Sequence, residues 1–333
     1  MIKRGRGIAC VYYPTGFSGG GDPESVTMRL KRDGSVDITN TISDLGQGLK
    51  MACIQIAGEK LGIEPESFVF SNTDTDTCSY SIGAAGSRST YVMGNATIDA
   101  GEKFIQAVKD HVASNMFQCD IKEVEYSAGK VSRVGDQSES VTLSEIGEDA
   151  NPTGKPIMVV GSFRPPKSPK DPKTGKGVPS RTMAWGATVA DIEVDVETGF
   201  VEVKNLYSCY DIGTVINRLA AQGQIDGGDV MGIGMALYED LTPYYPKNSD
   251  LKAADFTDYI IPTFMDMPKY SKTVFHESYD PYGPWGAKGL GEMVNNTQPA
   301  AIANAIYDAI GVAVTSLPMT PEKILRALEE KEK

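Results

Sequence analysis

The sequence predicts an α+β protein of two similar subdomains, each a mixed β-sheet with helices layered on it. Two hairpin patterns carry that reading. Val26, Met28 and Leu30 alternate with polar residues up to Asp33-Gly34, and Val36 and Ile38 answer them beyond the turn. Ile192, Val194 and Val196 do the same up to Glu197-Thr198-Gly199, and Phe200, Val201 and Val203 lead back. Each half then holds an aspartate–x–glycine turn and a glutamine-bearing turn or helix, a weak internal duplication. The predicted organisation is a first subdomain over 1–160, a Pro/Lys-rich linker over 161–182 and a second subdomain over 183–333.

In the first half, SDLGQGL leads into a helix with Ile54, Ala57 and Leu61 on one face, stopped by Gly62 and Pro65. A strand around Phe68 and Phe70 follows. The glycine- and serine-rich SIGAAGSRST then opens a second helical region toward Met116. SFRPPKSPKDPKTGKGVPSR has no periodicity and reads as a long exposed linker.

In the second half, YDIGTVIN precedes a helix carrying Gly223, Gly227, Gly228, Gly232 and Gly234. Each glycine in a helix interior costs ~1 kcal/mol relative to alanine, so another backbone or a ligand is expected to pass close. Pro299 opens a helix with Ile302, Ile306 and Ile310 on one stripe, closed by Gly311. Thr320-Pro321-Glu322 caps a short terminal helix.

The 333 residues, 41% hydrophobic and 23% charged, suit a soluble protein with a large core. A net charge of −12 argues against nucleic acid or an anionic membrane as the partner. Cys10, Cys53, Cys78, Cys119 and Cys209 are scattered, which favours buried free thiols over a zinc or iron–sulfur site. MIKRGRGIACVYYP has too short an apolar run for a signal peptide, and no segment reaches membrane-spanning length. A cytoplasmic location is expected.

Several motif matches fail. GFSGG (Gly16 to Gly20) fits a nucleophile elbow only in its letters, because Gly21 and Asp22-Pro23 follow where a helix is needed. PKTGKG lacks the first glycine and the Ser/Thr of a phosphate-binding loop, and GQGLKM and GLGEMV lack the third glycine of a dinucleotide fingerprint. Asp74 and Asp76 read as a solvated turn, and His276 has no neighbouring histidine.

GPWGAKGLGE, Gly283 to Glu292, is different. Four glycines precede one carboxylate, a costly cluster unless the backbone must turn sharply or approach something closely. It belongs to an ordered series: DLGQG, GSRST with GNA, VDVETGFVEV, YDIGTVIN, QGQIDGG, DYIIPTFMDMP, PYGPWGAKGLGE and PAAIANAIYDAIG with LPMTPEKIL. The series resembles the C-terminal half of the molybdopterin-binding subunit of the xanthine dehydrogenase and aldehyde oxidase family of molybdenum hydroxylases. It covers nearly the whole chain and is weakest around 120–175. That family's larger subunit carries further domains before the point matching Met1. The chain is therefore expected to be one product of a split subunit, as in family members acting on nicotinate, where the cofactor lies between two chains.

The resemblance implies the fold of the family's molybdenum cofactor-binding domain. It also implies a site. Gln47, between Gly46 and Gly48, would bond the pterin or its phosphate. Gly86, Ser87, Arg88 and Ser89 would form the loop beside metal and pterin, and Gln224 would lie near the metal's oxo ligand. Lys288, Gly289 and Gly291 would contact the cofactor, and Glu292, held by that glycine-rich turn, would be the general base that takes a proton from the molybdenum-bound hydroxide. No protein side chain would ligate the metal. The implied cofactor is molybdenum with molybdopterin, expected in its cytosine dinucleotide form. Iron–sulfur clusters and FAD would sit on partner chains: a larger molybdopterin-binding subunit, an iron–sulfur subunit and an FAD subunit. The implied reaction is hydroxylation of an N-heteroaromatic substrate with oxygen from water. Purine or aldehyde oxidation is the nearer alternative, and a non-catalytic cofactor-binding or assembly protein the more distant one.

Overall fold

The computed structural model describes residues 1–17, 21–178, 180–240 and 255–332. Ser18 of GFSGG lies outside them.

β1 (Ile2–Pro14) is followed by the first hairpin, β2 (Glu24–Leu30) and β3 (Val36–Asn40). Val26 faces Asn40 and Leu30 faces Val36 across the predicted turn. α1 (Leu49–Leu61) ends at Gly62, whose φ of 64° is the left-handed cap that glycine adopts without a Cβ penalty. β4 (Phe68–Phe70) lies parallel to β3, and α2 (Ser89–His111) crosses the sheet. A small antiparallel sheet follows, β5 (Val124–Ser127), β6 (Lys130–Arg133) and β7 (Asp136–Thr142). α3 (Leu143–Ala150) starts at a capping box between Thr142 and Glu145, and β8 (Met158–Phe163) returns to the first sheet.

The second hairpin is β9 (Met183–Asp195) and β10 (Val201–Asp211). α4 (Arg218–Leu237), β11 (Tyr270–His276), α5 (Gln298–Ile310) and α6 (Pro321–Glu332) complete the chain. No described helix is long and apolar enough to cross a membrane.

The two four-stranded sheets run β8-β2-β3-β4 and β1-β9-β10-β11. In both, the central hairpin pairs antiparallel with one edge strand and parallel with the other. The duplication seen in the hairpins thus extends to the sheets, with one exchange. The antiparallel edge of the second sheet is β1, from the far N-terminus, and Ile2 pairs with Asp195. Residues 2–14, expected in the first half, therefore complete the second sheet, and residues 161–163, expected in the linker, complete β8.

Glycines explain why these two edge strands pack as they do. A Cβ at Gly5 or Gly7 in β1 would run into the backbone of Ala305 or Ala301 in α5, and one at Gly161 in β8 into Ala96 and Ala100 of α2. Each strand therefore lies directly on an alanine face of its helix. The first core gathers Met28, Ile38, Val92 and Phe104, and the second Ile192, Ile233, Ile302 and Ile306, all essentially inaccessible. Burying each such side chain contributes ~1.5–3 kcal/mol.

Candidate active site

Two turns, one from each half, face each other. In the first, Asp44 accepts from the N–H groups of Gly46 (2.9 Å), Gly48 (3.3 Å) and Lys50 (3.0 Å). Burial pushes the Asp44 carboxyl up, but those three N–H bonds outweigh it and hold it below the usual range. Gly46 and Gly48 take φ of 104° and 83°, which the turn requires. Gln47 folds back, its Oε1 accepting from Leu45 N–H at 2.5 Å. In the second half, Asp211 accepts from Gly213 N–H at 3.1 Å, the same device. Asp211 also takes the Lys288 ammonium at 2.9 Å. Burial raises the Asp211 carboxyl, yet Ser278, Lys288 and Gly213 N–H together hold it below its ordinary range.

The turn bearing Glu292 is wedged between the halves. Lys288 N–H donates to Ile212 O (2.8 Å), and Gly289 N–H donates to the buried Thr15 hydroxyl (2.9 Å). A Cβ at Gly289 would meet the Ser87 carbonyl, at Gly283 the Ala287 carbonyl, and at Gly286 the Tyr279 ring. These three glycines are thus required by close approach of protein to protein. Gly291 has room and faces the pocket.

Glu292 is gripped from the first half. Its N–H donates to Ser87 Oγ (2.9 Å), its Oε1 accepts from Gly86 N–H (3.2 Å), and its Oε2 accepts from Ser87 Oγ (3.4 Å). Gly86 and Ser87 both have positive φ, 61° and 52°, which turns them toward the carboxylate. A further donor to Oε2 is the Tyr13 hydroxyl, from the end of β1. Burial, then the Glu292 carboxylate, push the Tyr13 hydroxyl up to about 12, so it stays a donor over the physiological range.

Gln47, Gly48, Ser87, Ser89, Gln224, Lys288 and Gly291 line one pocket, with Gly46, Gly86, Gly289 and Glu292 adjoining through the same turns. Arg88 does not join them. Its side chain is fully buried, pairing with Asp22 (2.8 Å) and Glu24 (3.2 Å) and donating to Gly83 O (2.7 Å). Instead of facing a cofactor, it anchors the loop whose backbone meets Glu292. Lys288 is likewise committed to Asp211 and Ser278.

The glycines of α4 divide in two. Gly228 and Gly232 sit against Val294 and Gln298, so the helix packs directly beneath the segment after Glu292, while Gly223 and Gly227 face open space. The cysteines also divide: Cys53 is buried, its thiol pushed up to about 12 by that burial, whereas Cys10 and Cys209 are exposed rather than buried as expected.

The sequence profile of the molybdopterin cofactor-binding domain matches residues 1–268. The chain belongs to that family. It is 32% identical over 307 residues to the 6-hydroxypseudooxynicotine dehydrogenase complex subunit gamma of Paenarthrobacter nicotinovorans, covering 90% of this chain and 37% of that one. Among solved structures, the aldehyde oxidoreductase of Desulfovibrio desulfuricans superposes with a TM-score of 0.80 at 32% identity, over 98% of this chain and 32% of that one. Quinoline 2-oxidoreductase of Pseudomonas putida 86 gives 0.84 at 25% identity, over 99% and 42%. The molybdopterin-binding chain thus spans roughly a third to two-fifths of these relatives.

The residues present fit a phosphate-bearing pterin. Three helix N-termini reach the pocket: Gly48 and Leu49 of α1, Ser89 and Thr90 of α2, and Asn217 and Ala220 of α4. The helix dipole and first-turn N–H groups make such ends favourable for phosphate, although Asp44 already takes Lys50 N–H at α1 and Asn217 takes Ala220 N–H at α4. Gln47 and Gln224 add amides that both donate and accept. The pocket holds about 140 Å³, below the ~300–1,000 Å³ of complete small-molecule sites.

Sequence reasoning missed Tyr13 and Thr15. Their only local signal was the alternation Ile8, Cys10, Tyr12 ahead of Pro14, which marks a strand but not its partner.

Proposed function

We propose that this chain is one molybdopterin-binding part of a multi-subunit molybdenum hydroxylase that oxidises an N-heteroaromatic, nicotinate-like substrate, with Glu292 as general base. One observation carries the reading: the Glu292 carboxylate is held by three donors from two separate segments, beside a pocket onto which three helix N-termini converge. Relatives named for nicotine-derived and quinoline substrates support the N-heteroaromatic reading, while comparably similar relatives are named for aldehyde and xanthine, so the substrate panel below decides among them. The ordered motif series is also similar to that of the medium molybdopterin subunit of nicotinate dehydrogenase.

Gln47, Ser87, Ser89 and Gln224 would hold the cofactor, with the α1, α2 and α4 N-termini toward its phosphates. When bound, that group supplies the two-electron acceptor and the Lewis acidity that makes water a nucleophile at neutral pH. Glu292 receives the proton of that nucleophile as the carbon–oxygen bond forms. Tyr13, Ser87 and Gly86 aim the carboxylate, so little reorganisation accompanies the transfer. Lys288 and Asp211 hold the turn from behind. The remaining wall, the iron–sulfur clusters and the flavin would come from partner chains.

The test is metal and pterin analysis of the purified complex, with a panel of nicotinate, xanthine, hypoxanthine and simple aldehydes. Stoichiometric molybdenum with nicotinate-type turnover is expected. Absent molybdenum would favour the assembly-protein reading, and turnover of purines or aldehydes alone would move the substrate class.

A further inference from the structure

Glu292 belongs to no helix or strand. Between Ala287 and the start of α5 at Gln298 the chain makes only turns, so no backbone ladder fixes the candidate base. Tyr13, Gly86 and Ser87 hold its carboxylate in front. Two side-chain amides hold the segment behind it. Asn296 Nδ2 donates to the Glu292 carbonyl (2.9 Å), and Gln298 Nε2 donates to the Val294 carbonyl (2.7 Å).

Gln298 is itself locked. It is fully buried, and its Nε2 also donates to Asp229 Oδ1 at 2.6 Å. An amide nitrogen has two protons, and these two acceptors are its nearest. Asp229 is buried in α4, and its other oxygen takes the Ser271 hydroxyl at 3.2 Å. A hydrogen bond to an ionised acceptor is roughly twice as strong as one between neutral groups. The amide therefore cannot turn away without stranding a buried charge.

The packing agrees. A Cβ at Gly232 of α4 would meet the Gln298 side chain, and one at Gly228 would meet Val294. α4 thus lies directly under both ends of the Gln298–Val294 bond, and the same helix brings Gln224 to the pocket. The core here is polar where the first core is apolar. Met28, Leu30 and Ile38 fill the first, whereas Thr188 of the second sheet meets Thr297 (2.7 Å) and Tyr210 meets Gln298 (3.3 Å). Every buried side-chain nitrogen and oxygen in this group has a partner. A buried network satisfied in full rigidifies what it touches.

We infer that Gln298, locked by Asp229, is a positioning residue for Glu292: its amide ties the turn after the base to α4, so the carboxylate and Gln224 keep one geometry. The inference rests on the proposed role of Glu292 as base and adds what fixes that base from behind.

The test is anaerobic stopped-flow reduction of the purified complex by whichever of nicotinate, xanthine, hypoxanthine and a simple aldehyde it oxidises fastest. Molybdenum content, melting temperature and peptide hydrogen exchange are measured on the same samples. Gln298→Met keeps the length of the side chain and removes both donors. It is expected to lower the limiting rate roughly tenfold, toward the ~10²-fold that a 1 Å misplacement can cost, at a nearly unchanged half-saturating concentration. Amides of residues 290–297 should exchange faster than in wild type, and unchanged exchange overturns the inference. Asp229→Asn keeps an acceptor and is expected to retain the rate, whereas Asp229→Val should lose as much as Gln298→Met.

The deciding comparison is Gln298→Met in the Glu292→Gln background. With no base left to position, it is expected to cost nothing further, whereas a bond that serves folding alone would cost the same in both backgrounds. Equal losses therefore overturn the inference, as does a wild-type rate in fully loaded Gln298→Met. If Gln298→Met does not assemble with its cofactor, Asp229→Asn and Asp229→Val decide, and equal rates in those two overturn it. A complex that oxidises none of the four compounds, or a Glu292→Gln complex reduced at the wild-type rate, rejects the base and the inference with it. A slow Glu292→Gln beside an unimpaired Gln298→Met rejects the inference alone.

Discussion

The Tyr13 hydroxyl donates to the Glu292 carboxylate across 279 residues of sequence. β1 ends at this contact and the glycine-rich turn begins its grip there. The candidate base is therefore positioned by a strand that leaves the first half of the sequence to join the second sheet.

Glu292→Gln keeps the size of the side chain and removes the base. It is expected to slow anaerobic substrate reduction of the complex by ~10²–10⁴-fold. Molybdenum and pterin content, measured on the same sample, should stay near wild type. A fully loaded variant reduced at the wild-type rate would remove Glu292 from the mechanism.

Tyr13→Phe deletes one donor to that carboxylate. A net cost of ~0.5–1.5 kcal/mol in positioning is expected, read as a roughly 2- to 12-fold lower rate of reduction at unchanged cofactor content. Tyr13 is held above its ordinary value, at about 12, so its contribution to stability is present below pH ~10 and lost as pH rises through ~12. The variant should lack that loss, which unfolding curves at alkaline pH check against wild type.

Asp229 is buried and pushed up to about 6, chiefly by burial, while accepting from Gln298 (2.6 Å) and Ser271 (3.2 Å). A raised carboxyl favours the folded state below its unfolded value, near 4, and that advantage disappears as pH rises through about 6. Asp229→Asn keeps an acceptor for Gln298 without the charge. It is expected to flatten stability between pH 4 and 6 and to stabilise the protein by ~1–3 kcal/mol at pH 7 and above. Denaturant titrations at pH 4, 5, 6 and 7.5 decide it, and a less stable variant at pH 7.5 would contradict the prediction.

Arg88→Met leaves Asp22 and Glu24 buried without their cation. Breaking one side of such a cluster costs ~3–5 kcal/mol. The expected result is loss of folding stability in thermal or denaturant melts. Loss of cofactor alone, with melting unchanged, would instead return Arg88 to the cofactor site.

Gly228→Leu adds a side chain where Val294 already lies, two residues from Glu292. Overpacking of this kind costs ~1–3 kcal/mol. Gly227→Leu, next to it but facing open space, should instead stabilise by up to ~1 kcal/mol, since only helix propensity is involved and leucine is the better helix former. Melting curves of the two variants side by side check the orientation of α4.

The amino-acid sequence by itself determined what depends on near neighbours. Alternation set both hairpins, Gly62 and Gly311 set helix ends, and the spacing of Ile302, Ile306 and Ile310 set the buried face of α5. It also marked Glu292, because so many glycines ahead of one carboxylate are costly without a close approach. Only the tertiary structure decided what those glycines approach, where β1 goes and which polar side chains are already taken. Strand alternation names a face but not a partner, so β1 could not be matched to β9 from its own residues. Arg88 and Lys288 read as cofactor contacts until burial placed Asp22, Glu24 and Asp211 against them. The physical reason is the same in each case. Local pattern reflects the backbone over a few residues, whereas pairing across the fold depends on which surfaces remain to be buried once every element has formed.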